Sequence, residues 1–147
     1  MPLQGQWADT LLDVERLHVL KLLVWGALSV GVGTALIALI RVRRIDSSLL
    51  QHFAIQSAAW GFIDITIAIW AKQWLHLRDL TSAVALDRFV WLNVGLDAGY
   101  VAVGATLALI GWGQGRRLGL VGAGVGVIVQ GCALLLLDLQ LAAAIVR

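Results

Sequence analysis

Cysteine occurs once in this sequence, as Cys132, which excludes an intrachain disulfide and a thiolate metal cage. Its place inside an apolar run marks it as a small packing residue. Charge is scarce as well. Only 14% of residues are charged, whereas a soluble domain carries about a quarter. The hydrophobic fraction is 60% over 147 residues, and the mean hydropathy is +0.87. A water-soluble fold of this size cannot hide so much apolar surface, so the bilayer is the expected solvent. The N-terminal segment has no basic stretch before its acidic residues, unlike a cleaved leader, so the first membrane helix is expected to direct its own insertion. Period-2 alternation is missing, which excludes a barrel.

Several chemistries are missing too. His18 falls near one membrane surface and His52 near the other, so they cannot share one haem iron, and His76 falls in a loop. The run Gly111-Trp112-Gly113-Gln114-Gly115 lacks the lysine and the preceding strand of a phosphate-cradling loop. None of Ser29, Ser47, Ser48, Ser57 and Ser82 has an adjacent histidine to suggest a nucleophile. No catalytic residue and no cofactor is assigned, and nothing points to nucleic acid as a partner. An enzyme would have to be built on aspartates alone, so a non-enzymatic role is preferred.

What is present is four apolar stretches, at about residues 17–40, 49–71, 88–112 and 118–145. Each is long enough for the about 20 residues a membrane-spanning helix needs. The expected fold is all-α, an integral membrane four-helix bundle forming a single domain. Arg41, Arg43 and Arg44 lie between the first two stretches, and Arg116 and Arg117 between the last two. Arginine-rich short loops stay in the cytoplasm, so both termini are expected outside. Trp70, Trp74 and Trp91 then form an outer aromatic belt, with Trp112 at the inner face. Two flanking segments, 9–16 and 73–84, are candidates for interfacial helices. The first carries Thr10 and Asp13 in the spacing of a capping box.

The chain reads as two related hairpins. Gln56 precedes Asp64 by eight positions, as Gln130 precedes Asp138, and each pair follows an arginine pair. Val32 to Leu36 is a weaker match to Val103 to Leu107. Small residues recur every fourth position at Ala27, Gly31 and Ala35, and again at Gly95 and Gly99, as in close helix packing.

The charges form the most specific pattern. Asp64 is 20 residues from Arg44 (64 − 44), Asp138 is 21 from Arg117 (138 − 117), Asp97 is 19 from Arg116 (116 − 97), and Lys21 is 20 from Arg41 (41 − 21). At helical rise all four lie roughly 28–32 Å from the arginines, so a single layer is expected. These four are the candidate ion or proton site. Three carboxylates facing one ammonium cannot all ionise together, so either one holds a proton or a cation fills the gap; whether a metal binds is left open. A second polar network is expected nearer the membrane middle, from Ser29, Gln56 and Gln130, with Asn93 and Tyr100 on the Asp97 face.

The segments Gln56…Trp60-Gly61-x-x-Asp64, Asn93-x-x-x-Asp97-x-x-Tyr100 and Gln130-Gly131…Asp138 resemble a family of small, uncharacterised bacterial four-helix membrane proteins. The resemblance covers most of the chain from about residue 25 onward. It implies a bacterial inner-membrane protein and carries no activity. Three function classes follow. The preferred one is an accessory or scaffolding subunit, bound to itself or to a larger membrane complex. The alternatives are a small oligomeric proton- or cation-linked transporter or channel, and a binder of lipid, pigment or quinone.

Overall fold

The computed structural model describes residues 2–145, with side chains from Gln6 to Ile145. Four helices follow one another: α1 (Pro2–Arg43), α2 (Ser48–Lys72), α3 (Leu80–Gly113) and α4 (Leu118–Ile145). All four are long and apolar enough to cross a membrane, and no strand occurs among the described residues. The exterior matches that solvent. Phe62, Leu109 and Leu136 are among many large apolar side chains left exposed.

Local chemistry sets the helix ends. The Ser47 hydroxyl accepts from the Leu50 amide and starts α2. Asp79 caps α3, accepting from the Ser82 amide at 2.8 Å and from its hydroxyl at 2.6 Å. These hydrogen bonds hold the exposed Asp79 carboxyl below the ordinary carboxylate range. The cap is therefore fully effective above about pH 4 and fades as pH falls through its own lower value. The arginine turns use left-handed residues, Arg44 in the first, and Gly115 and Arg116 in the second.

Two local expectations change. Thr10 is no cap, because α1 runs unbroken from Pro2 and the Thr10 hydroxyl donates to the Gln6 carbonyl instead. Residues 73–79 are not helical, so the 73–84 segment is a loop followed by the first turns of α3. With 42 residues, α1 spans about 63 Å, twice the hydrocarbon thickness. Its surplus length on the side of the termini is anchored. Glu15 is buried and accepts two hydrogen bonds from Arg78 of the α2–α3 loop, at 2.6 and 2.8 Å. Val14, next to Glu15, packs on a small apolar cluster of Val90, Leu141 and Ala142 together with Leu86 and Ile145.

The backbones pair as α1 with α2, α3 with α4 and α2 with α4, with a narrower α1–α4 contact. Helix α4 is thus the hub, touching all three others. Helices α2 and α3 do not approach at the backbone; Trp60 and Tyr100 meet between them edge to face, with centroids 5.1 Å apart. Close approach relies on glycine. A Cβ on Gly33 would lie 2.6 Å from the Ala58 amide, and one on Gly122 would lie 2.1 Å from the Leu49 carbonyl. The stripes Ala27–Gly31–Ala35 and Gly95–Gly99 do not serve this purpose. All five residues are exposed, and a Cβ on Gly31, Gly95 or Gly99 would meet nothing within 4 Å. Polarity decides the matter: on α1 the face bearing Glu15 and Ser29 is buried, and Gly26 and Gly33 go with it.

The two hairpins make corresponding contacts. Gly61 meets the Gly26 carbonyl and the Val30 amide, while Gly131 meets the Asp97 carbonyl and the Val101 amide. The displacement is 71 on the first helix (97 − 26) and 70 on the second (131 − 61). The Gln56/Gln130 and Asp64/Asp138 pairs are displaced by 74 (130 − 56 and 138 − 64). The polar pairs therefore sit about one helical turn out of step with the packing.

Gly33→Leu should lower the melting temperature in detergent by many degrees, while Gly31→Leu should leave it nearly unchanged. Equal losses would refute this assignment of faces. Glu15→Ala should cost about 1–3 kcal/mol in a denaturant titration, less than the about 3–5 kcal/mol of a fully buried pair, because Arg78 keeps some solvent contact. Faster proteolysis within 73–79 should accompany it, and unchanged cleavage would argue against the anchor.

Candidate functional site

Each polar side chain is aimed by its place on a buried helical face. Asp97 lies on the line Ala83–Val90–Asp97–Gly104–Gly111, and Asp64 lies on the α2 face that buries Ala54, Gly61 and Ala68. Side chains on a helix lean toward its N-terminus. Asp138 therefore leans toward the arginine side and Asp97 away from it, so the two converge across antiparallel α3 and α4.

Two clusters result. In the first, the Gln130 amide donates to the Asp64 carboxylate, while its oxygen accepts from the Trp25 indole at 3.1 Å. Gln130 and Asp64 are only 4% and 1% exposed, and the amide joins α4 to α2 and α1 in one contact. In the second, His18 Nε2 lies 3.3 Å from Asp138 Oδ1, and the Asp138 and Asp97 carboxyls are within hydrogen-bonding reach of each other. Two carboxyls hydrogen-bond to each other only when one of them carries a proton. The other Asp97 oxygen, Oδ2, is buried without a partner among the described residues. The Asp64 and Asp97 charges lie within electrostatic reach, so the clusters are neighbours.

Lys21 does not join them. Its ammonium donates to the Gln140 side chain at 2.7 Å, and the expected four-residue ring is replaced by one that includes His18. The reason lies in helix phase. Leu11, Glu15, His18 and Leu22 follow the i, i+4, i+7, i+11 spacing of one face, and that face is the inward one. Lys21 falls beside it. The signal was available in the sequence but was outweighed by the formal charge of lysine.

The two expected polar layers are joined. Residues 44–47 are not helical, whereas α4 starts directly after Arg117. Asp64 is therefore 16 residues into α2 (64 − 48) and Asp138 is 20 into α4 (138 − 118). Leu49 packs against Gly122, so Asp64, 15 residues beyond Leu49 (64 − 49), and Asp138, 16 beyond Gly122 (138 − 122), stay near one level, while Gln130, expected in a deeper layer, bonds to Asp64.

The remaining network candidates sit at the margins. Ser29 is buried against Gly61, and Gln56 lies against Gly126 without a hydrogen bond to either cluster. Asn93 is half-buried, and Tyr100 is engaged by Trp60 through its ring. Among the described residues no three His, Cys, Asp or Glu side chains gather closely enough to hold a metal ion. Chemically, the arrangement sets an imidazole against Asp138, two groups that can exchange a proton. It can also lock four helices in register.

Neither a curated protein nor a solved structure matches the chain. A family model does match residues 21–139, which include every residue of both clusters except His18, and the chain belongs to that family, described as a family of unknown function (DUF6992).

Proposed function

We propose that this chain is a non-catalytic accessory or scaffolding subunit of a membrane assembly, in which the acidic interior fixes four helices relative to one another. The observation that carries this reading is Gln130, which binds Asp64 and Trp25 at once. An interior devoted to holding helices leaves the outer faces for partners. The outward Gly95–Gly99 and Ala27–Gly31–Ala35 faces support this, since small residues let a neighbouring helix approach closely. The partner is a second copy or a larger membrane complex. The resemblance to bacterial four-helix proteins and the arginine turns support a bacterial inner-membrane setting with both termini outside.

A second reading, a proton-linked transporter or channel, is favoured by one specific observation. The chain His18–Asp138–Asp97 ends on a buried carboxyl oxygen with no partner among the described residues. Such a relay could take up a proton from the side of the termini.

Gln130→Leu leaves Asp64 and the Trp25 indole unpaired. It should destabilise the bundle by about 1–3 kcal/mol in a detergent unfolding titration, and Asp64→Asn by less, because an acceptor oxygen remains. Mild-detergent purification should recover the wild-type chain with a second copy or a partner. Repeated recovery of a lone monomer would sink the scaffolding reading. Proteoliposome assays separate the second reading: Asp97→Asn should abolish proton flux if the relay transports. Absence of flux in the wild type would dismiss it.

A further inference from the structure

An unassigned feature lies on the outside of the bundle, where α1 and α4 part. There an open groove of about 470 Å³ runs along the bundle wall. Its sides are two stripes, Leu20–Val24–Leu28 on α1 and Ala133–Leu136–Leu137 on α4, with Lys21 and Gln140 at one end. Leu20, Val24, Leu28 and Leu136 are 54%, 49%, 57% and 61% exposed, so the stripes offer contact area that this chain does not use. From Leu20 to Leu28 the groove extends about 12 Å, most of the depth of one leaflet's hydrocarbon, which is half of a core about 30 Å thick.

The end of the groove carries a charge without a counter-charge. The Lys21 ammonium has three donors, and the contact it makes is with a neutral amide, Gln140. No carboxylate among the described residues lies within ion-pair distance of it; Asp138 is engaged by His18. Lys21 also stands 20 residues from Arg41 (41 − 21), about 30 Å. That distance matches the hydrocarbon thickness and sets Lys21 at the headgroup level of the leaflet nearer the termini. The Gln140 amide nitrogen adds a second donor beside it.

We infer that this groove is a binding site for an anionic phospholipid, with one acyl chain lying between the two leucine stripes and the phosphate held by Lys21 and Gln140. A zwitterionic lipid brings its own cation to the lysine, whereas an anionic one supplies only the missing negative charge. The preference expected from one lysine is about fivefold.

The test is native mass spectrometry of the full chain released from nanodiscs of mixed phosphatidylglycerol and phosphatidylcholine. The wild type should retain one phosphatidylglycerol molecule in preference to phosphatidylcholine. Lys21→Gln should reduce that preference about fivefold, and Lys21→Arg should preserve it. Leu136→Trp, at an exposed position, should expel the retained lipid by filling the groove while Lys21 is intact. Melting curves of all variants should match the wild type, because neither side chain is buried. Retention that is unselective in the wild type, or selective to the same degree in Lys21→Gln, would overturn the assignment. So would full retention by Leu136→Trp.

Discussion

The interior depends on backbones meeting without side chains between them. Gly61 against Gly26, Gly131 against Asp97 and Gly122 against Leu49 bring three pairs of helices into direct contact. Only at that separation can one amide, Gln130, reach a carboxylate on α2 and an indole on α1 together. In hydrocarbon an unpaired polar group has no water to fall back on, so the glycine contacts and the polar contacts enforce one another. Close packing places the partners, and the partners make any separation of the helices unfavourable.

The division of the polar groups into two clusters follows from the same constraint. A ring of one ammonium and three carboxylates would leave two negative charges uncompensated. The observed arrangement gives Asp64 an amide and Asp138 an imidazole, and lets Asp97 share hydrogen bonding with Asp138. Each acid thus has a chemically different neighbour. Lys21, relieved of that duty, points its charge toward the edge of the bundle beside Gln140. The long α1 helix contributes at both ends of this arrangement. Its membrane-embedded part supplies Trp25, and its extension supplies His18 to Asp138 and Glu15 to secure the α2–α3 loop through Arg78.

Much of the architecture was legible from hydropathy alone, because a run of apolar residues in a bilayer has few options besides a helix. The burial of Asp64 and Asp97 follows from the cost of leaving a carboxyl facing lipid. Facing was harder to read. Gly31 and Gly33 look alike in a list of small residues, yet one faces outward and the other meets Ala58; only the polar residues sharing each face distinguish them. Depth was harder still. Counting from the arginines treated residues 44–47 as helix, although they form the turn and add little rise. His18 was overlooked because formal charge drew attention to Lys21 one turn away. The capping-box spacing at Thr10 carries no cap, because that hydroxyl donates to the preceding turn of the same helix.

The mismatch between the spacing of the contacts and that of the polar residues has a consequence for symmetry. Were the two hairpins interchangeable, Asp64 and Asp138 would meet the same neighbours. A slip of four residues works as a vernier does, bringing unlike graduations into line, so that one carboxylate meets an amide and the other an imidazole. The halves of this chain are consequently not exchangeable. A molecule assembled from two copies of either hairpin would retain the glycine seams and lose the pairing of its acids.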